Sequence, residues 1–152
     1  MAKAEPDVEI LEFAVAREVE AYHFYMALAD RVKRPEIRRV FEDLAKEELE
    51  HKAQLELEIM KTGKSVLVVD EKTPDSKEDY IVSSDNLPLD MEYKDILMLG
   101  IEKEKASFRT YVNLLPSIQD EESREVLLAI AEEEVKHKLR FELEYDMLLK
   151  KD

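Results

Sequence analysis

The segments AKEELEH at residues 45–51 and AEEEVKH at residues 131–137 decide the fold of this chain. Each contains a Glu followed three positions later by a His, and residues three apart on a helix share a face. The segments are 86 residues apart, and the same offset relates two further glutamates, each thirty residues before the Glu of its segment. The chain therefore contains two matching sets of two carboxylates and one imidazole. The first set is Glu18, Glu48 and His51, and the second is Glu104, Glu134 and His137.

Length and composition indicate one domain, residues 1–152, built of long helices. A chain of 152 residues can bury one sizeable core, whereas two separate halves would each be marginal. It contains two Gly and no Trp, and 39% of its residues are charged, which is typical of helical proteins. Cysteine is absent, which excludes disulfides, thiolate metal sites and cysteine nucleophiles.

The formal charge of −14 disfavours nucleic acid and anionic membrane surfaces as partners. It suits cation binding, but a solvated acidic surface is the commoner explanation. The sequence shows no apolar run of membrane-spanning length and no signal peptide at its start. We therefore expect no membrane association and a cytoplasmic location.

Apolar periodicity predicts four helices, at about residues 7–34, 36–62, 90–115 and 118–150. Pro35 separates the first two helices, and Pro116 ends the third. Gly63 is the expected end of the second helix and Asp90 the expected N-cap of the third. In each helix the apolar stripe includes at least one ionisable side chain of the repeat.

Short connections predict two antiparallel hairpins, the first helix with the second and the third with the fourth. Glu18 and Glu48 are equidistant from a point beside the Pro35 break, and the matching pair of the second half is centred beside Pro116. At about 1.5 Å per residue, both pairs lie about 20 Å from their turns, near the middle of the helices. The two sets of side chains should therefore lie level in the bundle.

Residues 63–89 are predicted to connect the hairpins. A connection of this length is uncommon inside a compact domain, and a crossover that runs along the bundle would explain it. Two β-branched stretches, at residues 65–69 and 80–83, suggest short strands within it. The expected architecture is an all-α bundle of four helices.

His23 also follows a Glu by three positions, because Glu is abundant here. Glu20 and His23 have no counterpart in the second half, where Ala106 and Arg109 stand. Glu20 points about 160° away from Glu18 at 3.6 residues per turn. Since an unpaired Glu is rarely buried, we expect Glu20 and His23 at the surface.

Glu102 competes with Glu104 for the ligand position on the third helix. The two residues point about 160° apart, so only one can face the core. The apolar stripe and the repeat both select Glu104, since Glu102 aligns with Ala16 of the first half.

Tyr25 and Tyr111 lie seven residues after Glu18 and Glu104, on the same helix faces, and match each other across the repeat. Their hydroxyls could bond to carboxylates that hold a metal. They could equally be core aromatics whose hydroxyls find other partners.

Four carboxylates that face one core would repel one another and lose hydration, so without cations they would have to take up protons. Two divalent ions would neutralise them, and oxygen-rich ligation with one imidazole per ion suits iron or manganese. The alternative is a metal-free bundle with a buried, hydrogen-bonded polar layer. That layer would have to bear the desolvation of four acids without counter-ions.

The sequence resembles the ferritin-like superfamily of di-iron carboxylate proteins over nearly its whole length, and is most similar to the rubrerythrin di-iron domain. The resemblance is carried by REVEAYHFY at residues 17–25 and by the two segments quoted first. In such proteins one Glu from each of two helices and Glu-x-x-His from each of the other two bind the metals. The resemblance implies a ferritin-like four-helix bundle that holds two iron ions, with manganese as the other candidate.

The resemblance also implies ligand roles for all six residues: Glu48 and Glu134 as bridges, Glu18 with His51 at one end, and Glu104 with His137 at the other. Two features depart from rubrerythrins. The four-cysteine rubredoxin module is missing, so electrons would come from another protein. Ser107 stands where rubrerythrins carry a further carboxylate, three residues after the Glu of the third helix.

These features favour a di-iron redox protein that reacts with hydrogen peroxide or dioxygen, with rubrerythrin-like peroxidase activity and an external electron-transfer protein as partner. A ferroxidase or iron-handling protein is the alternative, and a non-catalytic metal-binding bundle is the third. Nothing in the sequence specifies a large closed shell, and closed dimers are the commonest oligomers. We therefore expect a homodimer or another small homo-oligomer.

Overall fold

A computed structural model describes residues 5–61 and 92–151 of the chain. In these ranges it contains the helices α1 (Glu5–Arg31), α2 (Pro35–Met60), α3 (Tyr93–Leu114) and α4 (Glu121–Lys151), with a 3₁₀ turn at Leu115–Ser117. The predicted all-α class is confirmed. The predicted strands at 65–69 and 80–83, the end at Gly63 and the cap at Asp90 lie outside the described residues. No helix in the described ranges is long and apolar enough to cross a bilayer.

The helix boundaries follow local chemistry. α1 ends at Arg31, three residues earlier than predicted, and Pro35 opens α2. Proline suits that position because the first N–H groups of a helix have no partner within it and the ring presets φ. α4 follows Asp120, whose side chain accepts a hydrogen bond from the backbone N–H of Ser123 at 2.9 Å and so caps the helix.

Contacts between α1 and α3 show the direction of the helices. Tyr25 bonds to Glu104, while Tyr111 bonds to Glu18, so α1 and α3 run antiparallel. α1 and α2 form a hairpin and are antiparallel as well, which makes α2 and α3 parallel. α2 therefore ends at one end of the bundle and α3 begins at the other, and the predicted crossover at residues 63–89 lies outside the described residues.

Two apolar clusters fill the interior at opposite ends of the bundle. The cluster near the α1–α2 connection includes Phe24, Tyr25, Leu28, Phe41, Leu44, Ile96, Leu97 and Phe141. The cluster at the other end includes Val8, Leu11, Leu55, Ile59, Tyr111, Ile118, Leu127 and Ile130. The six residues of the repeat lie between these clusters, as a polar layer across the middle of the bundle.

Gly100 allows α3 and α4 to pack closely at one end of the bundle. A Cβ atom at this position would lie 3.0 Å from Cε2 of Phe141. The Phe141 ring stacks on Phe41 and Tyr25, with ring centroids 5.9 and 6.1 Å apart. Because the ring is held by two neighbours, a larger residue at 100 would displace the whole stack.

Asp7 connects the start of α1 to the start of α4. It is completely buried, and its two carboxylate oxygens accept hydrogen bonds from the backbone N–H groups of Gln119 and Asp120, both at 2.9 Å. These N–H groups lie at the N-terminal end of α4, where the helix dipole favours a negative charge. The carboxylate therefore stabilises both the helix start and the packing of α1 against it.

We predict that Asp7→Ala destabilises the fold by about 3 kcal/mol, because hydrogen bonds to a charged group are lost and two N–H groups remain without an acceptor. Asp7→Asn should cost less, since its carbonyl oxygen still accepts one bond. Urea denaturation followed by circular dichroism measures the difference. The control is Asp43→Ala, at an exposed position of α2, which should change stability by no more than about 0.5 kcal/mol. Equal losses for Asp7→Ala and Asp43→Ala would contradict this role.

Candidate metal centre

Six side chains from four helices meet in the polar layer. They are Glu18 of α1, Glu48 and His51 of α2, Glu104 of α3, and Glu134 and His137 of α4. Each is at most 6% exposed. The structure thus brings together every metal-ligand candidate that the repeat singles out.

The six residues form two overlapping groups. In each group, one ligand atom from every residue lies within 4.8 Å of the others. The groups are Glu18, Glu48, His51 and Glu134, and Glu48, Glu104, Glu134 and His137. Glu48 and Glu134 belong to both, which is the arrangement of two adjacent ions with shared carboxylates.

Each imidazole presents Nδ1 to the carboxylates. His51 Nδ1 lies 3.5 Å from Glu18 Oε2 and 3.5 Å from Glu134 Oε1. His137 Nδ1 lies 3.5 Å from Glu104 Oε1. The two rings are nearly parallel, at 21°, with centroids 6.5 Å apart. The two halves of the layer therefore offer the same donor atoms in matching places.

Many polar atoms of the layer lack a hydrogen-bond partner among the described residues, although buried polar atoms usually have one. They include Glu18 Oε2, Glu48 Oε1, Glu104 Oε2, both carboxylate oxygens of Glu134, and Nδ1 of His51 and of His137. Carboxylate oxygen and imidazole nitrogen are ligands that iron and manganese accept. The buried cluster fits a di-iron centre, and two manganese ions are also consistent with it.

Without a cation, the layer disfavours its own ionisation. Burial raises the pKa of Glu48 well above its ordinary value, and the charges of Glu134 and Glu18 add to the effect. Burial and Glu134 likewise raise the pKa of Glu104. Burial lowers the pKa of His51, but Glu134 and Glu18 outweigh it and raise that pKa to about 10. Burial also acts on Glu134, yet the facing Glu104 and His51 lower its pKa. In the metal-free layer, bound protons therefore reduce the negative charge that cations would otherwise neutralise.

Two tyrosines bond crosswise between α1 and α3. The Tyr25 hydroxyl donates to Glu104 Oε1, and the Tyr111 hydroxyl donates to Glu18 Oε1. Burial, followed by the charges of the carboxylates, raises the pKa of both tyrosines well above its usual range, so both hydroxyls keep their protons. Each bond orients one carboxylate, whose other oxygen, Oε2, is buried without a hydrogen-bond partner among the described residues.

The surface prediction for Glu20 is wrong. Glu20 is only 3% exposed, and Arg17 Nη1 donates to its Oε2 at 2.7 Å. Its charge also acts on Lys103, a buried residue of α3. α1 packs against α3 as well as α2, so its buried arc is wider than the apolar stripe, and the two cations allow the carboxylate to be buried. His23 is half-buried.

One group of possible ligands was missed in the sequence. Glu47, Glu133 and His137 each place one ligand atom within 4.8 Å of the others, at the outer side of the layer. Glu47 and Glu133 are also 86 residues apart. A search of every acidic residue for that offset, beyond those on the apolar stripes, would have found the pair.

Solved structures similar to this chain have the same fold. The hypothetical protein Pfu-1136390-001 from Pyrococcus furiosus is 26% identical, with a TM-score of 0.71, covering 95% of this chain and 91% of that chain. The bacterioferritin of Desulfovibrio desulfuricans, which has a diiron site, is 20% identical, with a TM-score of 0.72 and coverages of 94% and 80%. A manganese catalase from Anabaena PCC7120 is 18% identical, with a TM-score of 0.69 and coverages of 95% and 74%. The last two likenesses show the ferritin-like fold alone.

No curated protein sequence matches the chain. The family model described as Rubrerythrin, in contrast, matches residues 9–145. That range includes all six residues of the polar layer and both tyrosines that bond to it. The chain therefore belongs to the rubrerythrin family.

Proposed function

We propose that this protein is a di-iron redox protein that reduces hydrogen peroxide to water with electrons from another protein. The observation that carries the proposal is the pair of overlapping Glu and His groups in the buried layer. Membership of the rubrerythrin family supports the same reading. We also propose that residues 1–152 form a single domain and that the protein is a homodimer or another small homo-oligomer.

Reduction of one hydrogen peroxide to two waters consumes two electrons and two protons. The Glu and His residues of the layer would hold two ferrous ions, which would supply one electron each and polarise the peroxide oxygens. The electrons then have to be restored, and the sequence contains no cysteine for a thiolate-bound iron centre. An external electron-transfer protein is therefore part of the proposal.

The residues of the chain divide the remaining tasks. Glu48 and Glu134 belong to both ligand groups and would bridge the two positions, while His51 and His137 would serve one position each. The apolar clusters on either side exclude bulk water from the layer. A groove of ≈ 190 Å³ between α2 and α4 is lined in part by His51, and peroxide is small enough to enter it.

Oxidation of ferrous iron for transfer or storage is the second candidate. Ser107, half-buried on α3, is the observation that favours it, because the rubrerythrin resemblance leads one to expect a further carboxylate there. Without that carboxylate, each position is served by one imidazole, one carboxylate of its own and the two shared carboxylates. The two metal positions then have the same kinds of ligand, so the residues give no reason for the two ions to play different roles. Manganese is the second metal to test.

The folded chain should bind two ferrous ions, because the layer offers two equivalent positions. Glu48→Ala and Glu134→Ala should each weaken binding of both ions, since the deleted carboxylate belongs to both groups. Metal analysis after anaerobic reconstitution and desalting measures the stoichiometry. Glu132→Ala, at an exposed position of α4, is the matched control and should retain two ions. One ion or none in the unaltered protein would refute the proposed centre.

Removal of the metal should make stability depend on pH. The raised pKa values of Glu48 and Glu104 mean that the folded apo protein holds protons that the unfolded chain releases above about pH 4.5. His51, raised to about 10, acts in the same direction above its unfolded value near 6.5. Glu134 acts oppositely, since its lowered pKa favours the fold above about pH 4.5. The raised groups prevail, so apo stability should fall as pH rises.

We therefore predict that the melting temperature of the apo protein decreases between about pH 5 and pH 8, while that of the metal-loaded protein changes little and stays higher. Differential scanning calorimetry with and without a chelator measures both. Glu132→Gln, which removes an exposed charge, should leave the slope of the apo protein unchanged. Apo and loaded forms that melt together and do not respond to pH would contradict a layer of four buried carboxylates.

The redox reaction itself can be followed by stopped-flow absorbance. The di-ferrous protein should be oxidised faster by peroxide than by dioxygen, and it should turn over only when a reducing electron-transfer protein is supplied. Net uptake of many irons per chain into a large hollow assembly, seen by light scattering, would support ferroxidase and storage activity instead. Bound metal that reacts with neither oxidant would indicate a structural site.

A further inference from the structure

The group missed in the sequence lies directly outside the buried layer, on the face formed by α2 and α4. Its carboxylates are half-exposed, with 43% of the Glu47 side chain and 44% of the Glu133 side chain open to solvent. The His137 side chain is only 7% exposed. The group therefore reaches solvent on one side and the polar layer on the other.

His137 faces both sites, each through a different nitrogen. Its Nδ1 lies 3.5 Å from Glu104 Oε1 in the layer, and its Nε2 lies 3.3 Å from Glu47 Oε2 outside it. Nε2 is buried and makes no hydrogen bond with good geometry among the described residues. A buried nitrogen beside the Glu47 carboxylate, in a group that also includes a ligand atom of Glu133, is the arrangement of a cation ligand.

The surroundings favour a cation on this face. Glu47, Glu50 and Glu133 line the groove of ≈ 190 Å³ between α2 and α4. Since one water takes about 30 Å³ in the liquid, the groove has room for an ion with several of its waters. Lys136 Nζ lies 3.7 Å from Glu133, but this exposed pair is weak and yields to a divalent ion.

The groove on the opposite face has a different lining. Between α1 and α3, a second groove is lined by Arg17 and Arg109 together with uncharged residues. Clefts that carry one sign of charge concentrate ions of the other sign and raise their rate of association. A ferrous ion in solution therefore meets carboxylates in the α2–α4 groove, whereas the α1–α3 groove presents Arg109 and an Arg17 that is paired with Glu20.

We propose that Glu47, Glu133 and Nε2 of His137 form an outer site that captures a hydrated ferrous or manganous ion before it passes to the buried centre. This inference rests on the proposed two-metal centre. It assigns a loading route to that centre, along the α2–α4 face.

The chemistry of imidazole makes the outer site transient. A neutral imidazole has one lone pair, on the nitrogen that carries no proton. His137 serves the outer site while its proton is on Nδ1, and it serves the inner site when the proton is on Nε2, where Glu47 accepts it as a hydrogen bond. The two uses exclude each other, so the outer site releases its ion as the inner site is filled.

Glu133→Gln tests the outer site, because Glu133 belongs to neither of the two inner groups. Metal-free full-length protein is mixed with Co²⁺ without oxygen at low ionic strength, and uptake is followed by visible absorbance. We expect uptake about tenfold slower than in the unaltered protein, at the lower end of the range for charged clefts, with two Co²⁺ bound at equilibrium. Glu132→Gln removes the same charge from the adjacent, exposed position and should leave the rate unchanged.

The rate of Co²⁺ uptake and the number of Co²⁺ ions bound at equilibrium distinguish failure of the outer site from failure of the buried centre. An unchanged uptake rate in Glu133→Gln, with two ions bound at the end, overturns the outer site and leaves the centre intact. If Glu47→Gln binds metal more weakly at equilibrium while Glu133→Gln takes up metal at the normal rate, Glu47 only positions His137. That result also overturns the outer site. Equal slowing of uptake in Glu132→Gln shows that loss of any negative charge on this surface has the same effect. That result also overturns the outer site. Fewer than two Co²⁺ in the unaltered protein overturns the proposed centre and, with it, the loading route.

Discussion

Four carboxylates buried side by side are the constraint on which the rest of this structure depends. Transfer of an ion into a protein interior costs several kcal/mol even after relaxation, so this layer needs compensation. The raised pKa values of Glu48 and Glu104 show what happens without cations, since the layer holds protons instead. Long helices place the layer far from either end, and the apolar clusters above and below supply the burial that stabilises the fold.

The same layer joins the two hairpins. α1 packs most extensively on α2, and α3 on α4, whereas contacts between the hairpins are fewer. The bonds from Tyr25 to Glu104 and from Tyr111 to Glu18 cross from one hairpin to the other, and both ligand groups draw on both hairpins. A metal ion bound by these groups would therefore stabilise the packing of one hairpin on the other, because its ligands come from both.

The internal repeat extends beyond the layer, because Arg17 and Lys103 on one face and Glu47 and Glu133 on the other are each 86 residues apart. On the α1–α3 face, Arg17 and Lys103 accompany the buried Glu20. On the α2–α4 face, the matching pair Glu47 and Glu133 leaves two carboxylates close together beside a histidine. The chain thus combines a buried layer whose two halves match with a second group of possible ligands on the α2–α4 face.

The sequence by itself determined the helices and the composition of the polar layer. Helical periodicity places Glu48 beside His51, and the offset of 86 residues sets both hairpins level, without any knowledge of how the helices pack. Only the tertiary structure decided contacts between helices. It buried Glu20 and brought Glu47 to Glu133. It also gave Tyr25 a carboxylate on another helix as its partner. The physical reason is that such contacts depend on the rotation and separation of packed helices, which the period of a single helix does not contain.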